Sequence, residues 1–338
     1  MKSLSKIFEN LLKNKDLDFK TSTFLFTLIF DEKIDQVQIA SLLTLFKTKG
    51  ECFEEIYAAV YLLRQRAKKI EISRGLIDTC GTGGDNKNSF NISTATAILC
   101  SACGLKVAKH GNKSVTSMSG SSDILQSLEI NIKLNEKDQK KYFKKNNICF
   151  LFAPLYHESL KKVATIRKYL PFKTIFNLIG PLLNPTKIDY QLLGVSNKNN
   201  LDTHSKCLSK LNQKESWVVF NMNGYDELTT TSPNLIRKVI GNKITRNMSI
   251  TPEDVGLPYS NEEDLRGGSP EENAYIMQRL FEGETGPIRD NVLLNTAACL
   301  VMTKKVNNLR EGIFLASKNI DNFSAKNKLE SLKNISNE

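Results

Sequence analysis

Glycine and proline are nearly absent from the first seventy residues, which leaves few places for tight turns and favours continuous helices. A long apolar run is also missing. Phe24 to Phe30, the longest near the start, is interrupted by Thr27 and falls well short of the roughly 20 residues a spanning helix needs. No apolar signal core or small-residue cleavage site follows Met1-Lys2-Ser3-Leu4-Ser5-Lys6, so a cytoplasmic location away from membranes is expected. The seven cysteines are odd in number and sit inside apolar segments. One pair, Cys100 and Cys103, forms a CxxC, but no second cysteine or histidine pair stands at zinc spacing. At helical spacing in an Ala-rich run these two read as small core residues. Arginine is scarce beside lysine within a net charge of +11. A nucleic-acid partner would need those lysines in one stripe; their scatter points to solvated faces instead. Internal repeats and low-complexity linkers are absent.

The 338 residues suffice for two domains at roughly 100–200 residues each. Val37, Ile39, Ala40, Leu42, Leu43 and Phe46 form one helical stripe stopped by Gly50, and Phe53, Ile56, Ala59, Val60 and Leu63 form a second. This opening reads as a small all-helical domain. The texture changes at Ser73-Arg74-Gly75. Leu76 to Cys80, Leu105 to Ala108, Ile148 to Phe152 and Ser216 to Phe220 are short apolar runs expected to be buried strands, and Asn91 to Cys103 is an Ala-rich helix ended by Gly104. Strands alternating with helices imply an α/β domain with a mostly parallel central sheet. Leu160 to Leu170 is helical up to Pro171, and a shorter helix ends at Gly180-Pro181. From Glu271 the tail alternates helices with loops and should pack on the sheet.

Several segments offer exposed backbone donors at turns and helix starts. Gly81-Thr82-Gly83-Gly84-Asp85 follows a strand directly, and three glycines let the backbone approach phosphate oxygens closely. It is neither a Rossmann fingerprint nor a Walker loop, and alone it is as well explained by a tight turn. Asn91-Ile92-Ser93-Thr94 opens the Ala-rich helix, where free N–H groups and the dipole favour anions; an ordinary N-cap is the plainer explanation. Lys109 to Ser117 follows another strand, bringing lysines, an amide and hydroxyls to a strand's carboxyl end. Gly120-Ser121-Ser122-Asp123 opens a further helix. Asp226 and Glu227, adjacent on a loop, suit magnesium, which prefers oxygen ligands and bridges to phosphates.

Taken together, Asp78-Thr79-Cys80-Gly81-Thr82-Gly83-Gly84-Asp85, Asn91-Ile92-Ser93-Thr94, Lys109-His110-Gly111-Asn112, Asn177 to Pro185 and Gly224-Tyr225-Asp226-Glu227 resemble the anthranilate phosphoribosyltransferases, in that family's order and over nearly the whole chain. The resemblance implies a helical domain, residues 1–72 plus about 165–190, that dimerises and serves the aromatic substrate. It is hinged to an α/β domain, residues 73–164 plus 191–338. Phosphoribosyl pyrophosphate would be held by Gly81, Gly84, Asp85, Ser89, Asn91, Ile92, Ser93, Thr94, Lys109, His110, Gly111, Asn112, Lys113, Ser114, Val115, Thr116, Ser117 and Ser121. Ser93, Asp226 and Glu227 would hold Mg2+, and Gly81, Asn112 and Arg167 would contact anthranilate. A planar guanidinium suits that carboxylate.

An arylamine is already neutral and nucleophilic, so no nucleophilic triad is expected; His110 is a candidate proton acceptor, with a structural role the plainer reading. The chain departs from the family pattern at Lys113 for arginine, Ser122 for alanine, Gln126 for glutamate and Glu129-Ile130 for leucine-glycine. Two other readings compete: a pyrimidine nucleoside phosphorylase, which would not need the carboxylate pair, and a nucleic-acid-binding protein of the same fold, which would have lost it.

Overall fold

A computed structural model describes residues 3–113 and 118–334. The chain divides into two compact units, Met1–Lys69 with Ala153–Pro185 and Ile70–Phe152 with Thr186–Glu338. In chain order the helical unit begins with α1 (Leu4–Leu12), α2 (Phe19–Phe30), α3 (Gln36–Lys49) and α4 (Phe53–Arg66). The α/β unit follows with β1 (Leu76–Gly81), α5 (Ile92–Ala102), β2 (Lys106–Gly111), α6 (Ser121–Ser127), α7 (Glu136–Asn146) and β3 (Ile148–Phe152). The chain then returns to the helical unit for α8 (Lys161–Arg167) and α9 (Ile175–Ile179). It ends in the α/β unit with β4 (Tyr190–Gly194), α10 (Asn200–Ser209) and β5 (Glu215–Asn221), then β6 (Asn234–Ile240), β7 (Lys243–Ile244) and β8 (Met248–Ile250). Helices α11 (Pro270–Phe281), α12 (Pro287–Met302), α13 (Leu309–Asp321) and α14 (Ser324–Asn334) complete it.

The return to the helical unit comes earlier than the expected residue 165. Once β3 ends at Phe152 the chain leaves the sheet, and α8 packs on α3, so residues 153–164 belong with the helices.

Local signals set the helix ends. Asp35 accepts the Gln38 amide in a capping box at the start of α3, and Gly50, at φ 85°, stops it in the left-handed region. Inside the helical unit Phe26 stacks on Phe46 with centroids 5.9 Å apart and meets Phe176 edge-on at 6.2 Å. Such pairs add about 0.5–1.5 kcal/mol each beyond their burial. The turn after α9 is held by its carbonyls: Arg64 donates to those of Leu182 and Asn184, and the His157 Nε2–H donates to that of Leu183 at 2.9 Å. Burial pulls the His157 pKa down from 6.5 to about 4.

The sheet runs β3-β2-β1-β4-β5-β6-β7, with β8 also paired to β6. From β3 through β5 every pairing is parallel; β6, β7 and β8 add an antiparallel end. Neither β4 nor this antiparallel end is evident from the sequence pattern. Chain order reverses between β1 and β4, because β2 and β3 extend one side of β1 while β4 and β5 extend the other. Open α/β sheets bind ligands at such a point, beyond the strands' carboxyl ends. The α5 and α12 helices cover one face, and Cys100 and Cys103 are both buried, as their spacing suggests. Among the described residues no helix is long and apolar enough to cross a membrane.

Candidate functional site

Gly81 and Gly194 end β1 and β4 directly opposite each other. Both are glycine because Asp226 fills the space where a side chain would stand. A Cβ at Gly81 would lie 2.7 Å from Asp226 Cγ, and one at Gly194 would run into the Asp226 carbonyl and sit 3.0 Å from its Cα. The Gly83–Gly84 pair, at φ 69° and 71°, turns the chain back toward this point. Two of the loop's amides are engaged within the protein: Thr82 N–H donates to the Gly194 carbonyl at 3.0 Å, and Gly83 N–H donates to Asp226 Oδ2 at 2.6 Å.

Glu227 points the other way, to the start of α5. Its Oε1 accepts the Ser93 N–H at 3.0 Å, so a protein carboxylate sits at this helix terminus where an N-cap side chain would ordinarily sit. Asn91 does not cap the helix; its amide donates to the Ser119 carbonyl and its Oδ1 accepts from Asn273. Burial raises the Glu227 pKa well above the usual carboxylate range, and the nearby charges of Asp226 and Asp85 push it further. Lys109 is buried beneath the site. Its ammonium donates to the Thr79 carbonyl at 2.6 Å and the Ser93 hydroxyl at 3.3 Å. Burial lowers the Lys109 pKa, and Asp78 and Glu227 oppose that shift.

Ser93, Asp226 and Glu227 line one crevice with oxygen donors, and the charges of Asp226 and Asp85 both act on Glu227. That is the chemistry of a hard divalent cation, which would relieve the mutual repulsion of the carboxylates. The residues therefore fit magnesium.

The structure gathers most of the expected residues in the α/β unit but gives them unequal access. Ser93, Asp85 and Gly84 are partly exposed, as is Ser89, which forms an isolated bridge with Arg266. Ile92 and Thr94 are fully buried, and their amides are taken by the Phe90 and Asn91 carbonyls. The His110 ring is buried, and its backbone N–H donates to Asp78 Oδ1. Asn112 and Lys113 are exposed at the end of β2. Gly111 has no side chain where the Ser121 hydroxyl packs, and that hydroxyl donates to the Asn112 carbonyl at 3.3 Å. Ser114, Val115, Thr116 and Ser117 lie outside the described residues. Arg167 ends α8 in the helical unit; half-buried, its guanidinium has no hydrogen-bond or ion-pair partner among the described residues, and burial lowers its pKa.

Sequence reasoning missed Gly194 and Asn295, which line one crevice with Ser93, Asp226 and Glu227. Gly194 carried a readable signal, since like Gly81 it closes a short apolar run. Asn295 carried none beyond being polar in an apolar helix.

A glycosyl transferase family helical-bundle domain matches residues 5–67, and the family's a/b domain matches residues 73–326. The chain is 42% identical over 335 residues to the anthranilate phosphoribosyltransferase of Acetivibrio thermocellus, covering 99% of this chain and 97% of that one. It resembles the crystal structure of anthranilate phosphoribosyltransferase from Thermus thermophilus with a TM-score of 0.88 at 32% identity, covering 98% and 99% of the two chains. The Saccharomyces cerevisiae enzyme in complex with PRPP and Mg gives a TM-score of 0.90 at 27% identity, covering 99% and 98%. Matched in both units and nearly end to end, the chain belongs to the anthranilate phosphoribosyltransferase family.

Proposed function

We propose that this protein transfers the 5-phosphoribosyl group of phosphoribosyl pyrophosphate to anthranilate, yielding N-(5-phosphoribosyl)anthranilate and pyrophosphate, with magnesium held by Ser93, Asp226 and Glu227. The observation that carries the reading is the meeting of two carboxylates, a glycine turn and the start of α5 at the point where strand order reverses. The yeast relative solved with PRPP and Mg supports it.

In the reaction the amine nitrogen forms a bond to ribose C1 while the bond from C1 to the pyrophosphate oxygen breaks. The electron pair leaves with pyrophosphate, and a proton is shed from nitrogen. Magnesium supplies positive charge to the departing pyrophosphate when bound. The chain's own part is placement: polar loops after β1 and β2 receive the phosphates, and buried Lys109 fixes the Ser93 hydroxyl. No side chain is assigned as general base, because the His110 ring is buried.

Arg167 is the residue for the anthranilate carboxylate, supported by a guanidinium with no partner among the described residues. The helical unit is also the surface for homodimerisation, supported by Val37 and Leu12, which stand 76% and 67% exposed. Nothing in the comparisons favours a nucleoside phosphorylase or a nucleic-acid-binding protein.

The test is turnover, followed as loss of anthranilate fluorescence with phosphoribosyl pyrophosphate and magnesium present. Asp226→Asn combined with Glu227→Gln should abolish it through weakened magnesium-dependent binding. Unchanged rates at limiting magnesium would remove the metal assignment, and salt-sensitive DNA or RNA binding without turnover would remove the enzyme reading.

A further inference from the structure

Helix α12 is almost wholly buried and apolar along Val292-Leu293-Leu294 and Ala297-Ala298-Cys299-Leu300, yet it carries Asn291 and Asn295, one turn apart and 0% and 3% exposed. A buried carboxamide costs stability unless its donors and acceptor are used. Here most of them are used on one loop. Asn295 Oδ1 accepts the Leu228 N–H at 3.2 Å, and its Nδ2 donates to the Leu228 carbonyl at 2.7 Å and the Asn291 carbonyl at 2.8 Å. Asn291 Oδ1 accepts the Thr230 N–H at 2.9 Å, and its Nδ2 donates to the Thr230 hydroxyl at 2.9 Å and the Pro287 carbonyl at 2.6 Å.

Leu228 is the residue after Glu227. Asn295 thus grips its backbone on both sides, as a paired strand would, directly next to the carboxylate that faces Ser93. The glycines at 81 and 194 receive Asp226 but exert no pull on the segment beyond it. The bonds that anchor Leu228, the residue beyond Glu227, come from α12. Asn295 also lines the crevice that holds Asp226, Glu227 and Ser93, whereas Asn291 does not.

We infer that Asn295 is a positioning residue: its two-sided grip on the Leu228 backbone presets the Asp226–Glu227 pair for a divalent cation before that cation arrives. Asn291, acting at Thr230, secures the same loop to the helix but at a remove from the carboxylates. The inference rests on the metal-site reading above.

Mn2+ binding with phosphoribosyl pyrophosphate present, followed by electron paramagnetic resonance of the free ion, separates this role from plain structural support. Outer-shell partners of metal ligands are worth about 10–100-fold in affinity, so Asn295→Ala should weaken Mn2+ binding by at least about tenfold. Asn291→Ala, which removes a similar set of bonds, should lower the melting temperature comparably and leave Mn2+ affinity unchanged. Equal losses of affinity in both variants, or none in Asn295→Ala, would overturn the inference. A reading on the unaltered protein holds even where a variant fails to fold: the Leu228 amide should exchange slowly without ligands. Protection that arises only on adding metal and phosphoribosyl pyrophosphate would refute presetting. Wild-type protein that turns over and binds Mn2+ while Asn295→Ala keeps full affinity sinks this inference alone. Wild-type protein that does neither sinks the functional reading as well.

Discussion

Gly194→Ala adds one methyl group at the point where β4 meets the metal loop, and its effect follows from contact distances. Gly194 lies outside the left-handed region, so alanine meets no backbone strain there and the effect is purely steric. The new Cβ would run into the Asp226 carbonyl and sit 3.0 Å from its Cα, where roughly 3.5–4.0 Å is the ordinary carbon–carbon separation. The obstacle is backbone, so no side-chain rotation relieves it. Either β4 or Asp226 must shift by about 1 Å or more, and overpacking of this kind costs about 1–3 kcal/mol. A misplacement of about 1 Å near reacting groups costs on the order of 10²-fold in rate. Gly194→Ala should therefore lower kcat/KM for phosphoribosyl pyrophosphate by about a hundredfold, with a stability loss in denaturant unfolding of about 1–3 kcal/mol. Gly241→Ala is the control. It sits at φ 59° with open space around it, so it should cost about 1–2 kcal/mol in strain and leave the rate intact. Wild-type kcat/KM in Gly194→Ala would refute the claim that this glycine exists to seat Asp226.

Arg167→Ala should raise the anthranilate KM and leave that for phosphoribosyl pyrophosphate unchanged; steady-state titration of each substrate checks this, and a defect confined to the phosphoribosyl side counts against its role. His157 stays neutral in the fold down to about pH 4, whereas the unfolded chain takes up a proton near 6.5. The unfolded state therefore binds more protons between those values, so this contribution is fully present above pH 6.5 and is lost as pH falls toward 4. The loss amounts to about 3 kcal/mol. Denaturant unfolding across that range should show a shallower acid slope for His157→Gln than for wild type, and identical slopes would contradict the assignment.

Much of the architecture was written locally. The stripes of α3 and α4, the stop at Gly50, the strands at Leu76, Ile148 and Ser216 and the Ala-rich helix after Asn91 all follow from periodicity and turn chemistry, which act over a few residues. Strand β4 was not legible because Gln191 and Gly194 leave only Leu192 and Leu193 as consecutive aliphatic residues, too short a run to show a period. The antiparallel β6 to β8 end was likewise silent, since pairing direction is a matter of partners rather than of the strand's own composition.

The same division runs through the site. Glycine-rich Gly81 to Gly84, the start of α5 and the Asp226–Glu227 pair were marked in the sequence by residue type, because close approach, free amides and paired carboxylates each need particular side chains or none. Their mutual arrangement was settled only by the fold. Residues 83 and 226, or 93 and 227, become hydrogen-bonding neighbours because the strand order reverses between β1 and β4 and brings both strand ends together. Lys109 reads as a phosphate-facing lysine in the sequence, yet the structure buries it under Ser93, because β2 lies inside the sheet between β1 and β3 with consecutive residues from Val107 to His110 buried. Local chemistry thus named the groups, and long-range packing decided which of them meet.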